Sequence, residues 1–293
     1  MKIRIGIGLG TTGAEEFTEA VDRLEEAGVD SLWLSEVVHG PIVDPFVGMA
    51  HALARTTNLK VGTGVSVLPG RHPVLVAKQI ASLAALTPRR VLPVFGLRPA
   101  RRAERYLFPA PPGERAALFD ESMELLRLAL RQERFDFHGR FFTVEDAAIG
   151  PLPPRPVDIW LGGSVPAALR RTGRYADGWL ASFLTPDQAR AGREAIERAA
   201  AEAGREIEDD HYGISLAISL DGTIPDQLAR AARERHPDAE PAALVGLGWA
   251  DARRMIEEYV AAGLTKFVVR PATPVPLHVF LEGFAAELQP LEN

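Results

Sequence analysis

Cysteine is absent from the 293 residues, which excludes disulfides, thiolate metal sites and a cysteine nucleophile. Lysine is scarce: Lys2, Lys60, Lys78 and Lys266 stand among 33 basic residues, the rest being arginine. Such a bias, with abundant alanine, is a mark of GC-rich genomes and carries no chemistry. Positive charge is not in excess, since the formal net charge is −6. Nothing electrostatic therefore points to nucleic acid or an anionic membrane as partner. No apolar run reaches the roughly 18 residues that span a bilayer. The chain enters a strand at once, with no charged and apolar leader, so a soluble cytoplasmic protein is expected. What remains is ordinary globular composition, 46% hydrophobic and 25% charged. The length suits one large α/β domain or two smaller ones.

Short β-branched runs alternate with amphipathic stretches. The pattern predicts strands at 2–9, 30–35, 59–67, 91–95, 157–161, 178–182, 212–220 and 266–270. Between them, apolar positions at three- and four-residue spacing predict helices, the first ended by Gly28. The rhythm breaks once. Residues 135–144 alternate around His138-Gly139 and predict a hairpin, within an insertion of about 133–156 that ends in a proline-rich stretch. Eight strands nearly all separated by helices predict a parallel sheet with right-handed crossovers. A single (β/α)₈ TIM barrel over residues 1–293 fits best, and a doubly wound sheet is the alternative.

One motif favours that alternative. Gly8-Leu9-Gly10-Thr11-Thr12-Gly13 is a G-x-G-x-x-G run between a strand and a helix, the context of a dinucleotide loop, and Glu36 would serve as its ribose acid. Glu15 and Glu16, however, fall in the first turn of the following helix, where they compete with a bound phosphate. A better anion cradle is Trp160-Leu161-Gly162-Gly163-Ser164-Val165-Pro166. It joins a strand to a helix that opens on proline and offers free backbone N–H groups beside a hydroxyl. The first run is accordingly read as a permissive loop on a barrel rim.

The stretch from Gly62 through Thr63, Gly64 and Val65 to Arg71-His72-Pro73 and Gln79 resembles the luciferase-like monooxygenase family, more specifically its branch using the deazaflavin coenzyme F420. Other segments agree in order and spacing: 26–36, 137–142, 159–164, 176–180 and 262–271. The resemblance implies a TIM barrel with its site at the C-terminal strand ends, and hydride exchange with a small organic substrate. It implies F420 as cofactor, or FMN in a monooxygenase on the same barrel, and a homodimer. It also places the cofactor ring on a bulge of the third strand, matched by Thr63, Gly64 and Val65, with a non-proline cis peptide at Gly64–Val65. The phosphate turn is matched by Gly162, Gly163 and Ser164, and Gly8 would leave room for a flat ring. No metal is implied.

The chain departs from the family where a histidine commonly follows the acid of strand two. Here Glu36 is followed by Val37, with His39 two places on. Glu36 and His39 are the catalytic candidates: His39 reaches in as acid–base, Glu36 acts alone, or solvent or substrate handles the proton. A barrel without catalysis, serving as a binding module, is a third reading. His72 edges the ring or caps a helix. Arg98, Arg101, Arg102 and Arg105 form a solvated loop or a clamp for an anionic tail. Phe95 is placed to narrow the ring space, Arg270 to face the pocket or pair with an acid, and Trp33, Trp160 and Trp179 to fill the core.

Overall fold

The computed structural model describes residues 2–9, 13–237 and 239–293. In β1 (Arg4–Leu9), fully buried Ile5 and Ile7 alternate with Gly6 and Gly8. The isoleucines join the core beneath the helices, while a Cβ on Gly6 would come within 2.5 Å of the Trp33 indole nitrogen. The period of two thus sorts one face toward helices and the other into a barrel.

α1 (Ala14–Glu26) buries Phe17, Ala20, Val21 and Leu24 and stops before Gly28, which takes φ +67°. β2 (Ser31–Leu34) leads to α2 (Pro45–Arg55), capped by Asp44, which accepts from the N–H groups of Phe46 and Val47. The third barrel strand comes in two pieces, β3 (Lys60–Thr63) and β4 (Ser66–Val67), with α3 (Pro73–Leu86) after it. The fourth is likewise split into β5 (Val91–Leu92) and β6 (Val94–Gly96). There follow α4 (Arg115–Ala129), the hairpin β7 (Phe135–His138) and β8 (Thr143–Ala147), β9 (Trp160–Gly162) and α5 (Pro166–Tyr175). Next are β10 (Gly178–Ser182), α6 (Pro186–Glu202), β11 (Tyr212–Ser219) and α7 (Asp226–Arg235). The chain closes with β12 (Val245–Leu247), α8 (Trp249–Ala261), β13 (Lys266–Pro271) and α9 (Leu277–Glu287).

Pairing is parallel throughout the main sheet. β13, β1, β2, β3 and β5 are successive neighbours, and so are β4, β6, β9, β10, β11 and β13. Because β3 and β4 belong to one strand and β5 and β6 to the next, the two series meet and the ring closes on eight barrel strands. That closure excludes the doubly wound alternative. Trp33, Val94, Trp160, Leu180 and Val268 fill the interior. At the N-terminal end Asp30 meets Lys60 at 2.5 Å, Arg4 at 3.4 Å and Lys266 at 3.5 Å.

The fifth strand is shorter than its apolar run suggests, since pairing begins at Trp160. The three-residue β12, which extends the sheet beside β11, is too short to leave a periodic signal. The hairpin turn lies at 139–142 rather than at His138-Gly139. There the Glu121 carboxylate gathers the N–H groups of Arg140, Phe141 and Phe142 at 2.7–2.9 Å and ties the hairpin to α4. Among the described residues no helix is long and apolar enough to cross a membrane.

Candidate active site

In a parallel barrel the C-terminal strand ends form the mouth. The inward positions there are mostly small: Gly8 on β1, Gly64 after β3, Gly96 ending β6 and Gly162 ending β9. Val65 fills the gap between two of them. A Cβ on Gly96 would stand 2.8 Å from its Cγ2, and one on Gly162 3.1 Å from its Cγ1. Larger residues at either glycine would displace Val65, so the floor is level because its components lack side chains. The Gly64–Val65 peptide is cis, as the resemblance implies. The Gly64 N–H donates to the Leu34 carbonyl at 2.7 Å, and its carbonyl accepts from Ser35 Oγ at 3.4 Å.

Two candidate residues hold this bulge in place. Thr63 Oγ1 donates to the Val94 carbonyl at 2.6 Å and accepts from the Val94 N–H at 2.8 Å, so its hydroxyl is fully engaged with the fourth strand. Glu36 is buried, with Oε2 accepting from the Val67 N–H at 2.7 Å and Oε1 paired with Arg71 at 2.5 Å. Burial pushes its carboxyl above the ordinary value. Arg71 and the Val67 N–H pull the other way, and Asp44 and Glu104 add to the rise. Arg71 itself packs against the rings of Phe46 and Phe108.

His39 stands on the exposed rim. Its N–H donates to Glu104 Oε1 at 2.9 Å, its ring lies 3.2 Å from the Tyr106 hydroxyl, and its carbonyl accepts from Arg101. The structure does not bring His39 together with Glu36 by any hydrogen bond. His72 caps α3, Nδ1 accepting from the Val74 N–H at 3.3 Å. Arg98, Arg101, Arg102 and Arg105 are all exposed. Phe95 does not narrow the mouth: it is buried among the residues beneath the helices, because Val94 and Gly96 take the inward positions. Of the glycine-rich run, Gly10, Thr11 and Thr12 lie outside the described residues, and Gly13 is the N-cap of α1. A Cβ on Gly8 would meet Val268 at 3.4 Å and the Arg270 stem at 3.6 Å, ordinary contact distances.

Gly163 takes φ +109°, a conformation that a side chain disfavours, and a Cβ there would lie 3.0 Å from Ala168. The turn delivers the chain to Val165 and Pro166 at the start of α5, where proline has no N–H and those of Ala168 and Leu169 donate to the Val165 carbonyl at 2.8 and 3.1 Å. The Gly163 carbonyl accepts from the Trp179 indole N–H at 2.8 Å. Beside Ser164 lies a cavity of about 250 Å³ lined also by Leu169, Leu184, Gln188, Gly192 and His236.

The family model for luciferase-like monooxygenase matches residues 1–266. The chain belongs to the luciferase-like monooxygenase family. An uncharacterized protein of Mycobacterium tuberculosis is 37% identical over 191 residues, 65% of this chain and 64% of that one. An F420-dependent glucose-6-phosphate dehydrogenase of Beutenbergia cavernae is 30% identical over 215 residues, covering 67% and 62%. The match thus spans just under two thirds of the length of these relatives. Among solved structures, an F420-dependent secondary alcohol dehydrogenase in complex with an F420–acetone adduct superposes with TM-score 0.84 at 19% identity, covering 100% of both chains. The oxygenating constituent of 3,6-diketocamphane monooxygenase from Pseudomonas putida, in complex with FMN, gives 0.75 at 18%, covering 100% and 99%. These likenesses show a shared fold over the whole chain.

For four residues the sequence supplies no partner. Arg71, Trp179, Ser215 and Arg235 acquire their roles through partners far along the chain, and no local pattern marks them.

Proposed function

We propose that the chain is an F420-dependent oxidoreductase that exchanges hydride with a small organic substrate at the barrel mouth. The observation that carries this reading is the level glycine floor with an N–H-rich turn at its edge. Gly64, Gly96 and Gly162 leave the area a flat ring system needs, and Val65 supports it from below. Gly162, Gly163 and Ser164 would hold the phosphate through backbone N–H groups and the Ser164 hydroxyl. When bound, the cofactor supplies the two-electron chemistry. The protein orients it: Glu36 and Arg71 anchor β4, Thr63 anchors the fourth strand, and the bulge between them keeps its shape. With both oxygens of Glu36 engaged, the acid serves best as a positioning residue. The proton then passes to solvent or substrate, with His39 as the rim candidate. A soluble homodimer, expected from the family likeness, is part of the same proposal.

The FMN-dependent monooxygenase is the second reading, supported by the FMN-bound neighbour. Fluorescence titration of the purified protein with F420 and with FMN separates the two. F420 is expected to bind, and Gly163→Ala to weaken it by about tenfold or more, since strain at such a backbone position costs on the order of 1–3 kcal/mol. Tight FMN binding with no response to F420 moves the assignment to the second reading. Binding of neither defeats both.

A further inference from the structure

On the far side of the mouth two arginines act on one another, Arg270 and Arg235, and the acid that acts on the pair among the described residues is Glu234, beside Arg235 on α7. Arg270, on β13, is half-buried and donates to Ser215 Oγ on β11 at 2.5 Å. Its stem runs past Gly8 on β1, which leaves the space it crosses. The charged group acting on it most is another cation, Arg235, whose guanidinium stacks on the Phe183 ring at 4.6 Å. Phe183 sits just beyond β10 with φ +55°, rare for an aromatic residue and found where a local geometry is held by its surroundings. Among the described residues no carboxylate lies within 4.0 Å of either guanidinium. Arg71, the other arginine of the mouth, has Glu36. Burial and then the charge of Arg235 hold the Arg270 pKa below its ordinary value.

A guanidinium offers five N–H donors in a planar fork, and the Ser215 bond engages one of its nitrogens. The remaining edge suits a bidentate oxyanion. We propose that Arg270, oriented by Ser215 and backed by Arg235, is the receptor for a carboxylate or phosphoryl group carried by the substrate. This rests on the reading of the mouth as the redox site. The cradle at Gly162–Ser164 follows the fifth barrel strand, whereas Ser215 and Arg270 belong to the seventh and eighth. A cofactor anchored at the fifth strand leaves the Arg270 side to the second reactant. Exposed Arg98, Arg101, Arg102 and Arg105, in the loop after the fourth strand, add positive field over the same face and would draw an anion toward it.

The test uses the full chain without cofactor, titrated with inorganic phosphate and followed by thermal shift and by the Arg Nε–H NMR resonances. Wild type is expected to gain stability, with one Nε–H resonance moving that is missing from Arg270→Gln. In Arg270→Gln phosphate affinity at this site falls by about tenfold or more, as loss of a charged hydrogen-bond pair implies. Arg270→Lys keeps the charge without the fork and recovers only part of it. Ser215→Ala, which leaves the charge untouched, weakens it by about threefold and stands in should Arg270→Gln not fold. Arg198→Gln, on the outer face of α6, changes nothing. In parallel the cofactor dissociation constant is measured for each variant and is expected to stay within about twofold. The proposal is overturned if phosphate affinity is the same in wild type, Arg270→Gln and Ser215→Ala. It is equally overturned if Arg270→Gln loses cofactor affinity in step with phosphate, since the arginine then belongs to the cofactor. Absence of cofactor binding in wild type would instead defeat the redox reading and leave the phosphate result standing by itself.

Discussion

Trp179 performs two tasks with one side chain. Its ring is buried against α6, where a Cβ on Gly192 would stand only 2.7 Å away, and its indole N–H holds the Gly163 carbonyl at 2.8 Å. Trp179→Phe removes the donor and leaves that carbonyl unpaired, a loss of about 1–3 kcal/mol. The expected result is a lower urea midpoint together with weaker cofactor binding, because the turn that presents the Gly162–Ser164 N–H groups is no longer pinned. A drop in stability with unchanged cofactor affinity would show that the turn keeps its shape without the indole. Sequence reading placed Trp179 in the core and was right about burial. The bond to Gly163 was hidden because the partner lies 16 residues earlier, across a βα unit. Glu36 was hidden in the same way: its role depends on Arg71, 35 residues on, and on the Val67 N–H. Arg270 is the counterpart. The sequence leaves it two readings, and among the described residues its partner is the Ser215 hydroxyl, 55 residues earlier, rather than an acid.

Among the elements, the third and fourth barrel strands carry the peculiarity of the fold. β3 pairs with β5 and β4 with β6, and between those ladders the side chain of Thr63 stands in for the backbone, bonding both the N–H and the carbonyl of Val94. Thr63→Val has nearly the same shape but leaves two buried backbone groups unpaired. It is expected to cost on the order of 2–4 kcal/mol by the penalty per unsatisfied group, read as a lower midpoint in urea with an unchanged slope. A cost below about 1 kcal/mol would mean that water or a shifted strand replaces the hydroxyl. The helices and most strands were legible from periodicity because each buries one face regardless of its neighbours. The split strand and β12 were not, since a break or a three-residue pairing depends on what stands opposite.

At the scale of the whole molecule, buried carboxylates set how stability responds to acid. Burial opposes ionisation of Asp177, but hydrogen bonds from Arg127 at 2.7 and 2.9 Å, the Ile159 N–H and the charge of Arg205 outweigh it, so its pKa is lowered. Asp30 is lowered too, its burial overcome by Lys266 and Lys60. Between those lowered native values and the unfolded value near 3.9, the unfolded chain holds more protons than the native one. The stability these groups contribute is therefore complete well above pH 4 and drains away as pH falls through that window. Glu36 and Glu292, raised chiefly by burial, act oppositely: the native state favours their protonated form, so mild acid slightly stabilises. Urea unfolding at pH 7, 5 and 3.5 is expected to show little change and then a steep loss. Asp177→Asn should be less stable at pH 7 and lose less between pH 5 and 3.5, and an equal loss in both proteins would remove Asp177 from the account. The sequence by itself determined the βα rhythm, the single insertion, the family and the glycine-rich turn after strand five, because these are written in local periodicity and in contiguous motifs. Ring closure, the splitting of strand three, the engagement of Glu36 and Thr63 and the bond from Arg270 to Ser215 were decided only by tertiary structure. Each depends on which groups distant in the chain meet across the barrel, and hydrogen bonding and charge pairing are properties of those meetings.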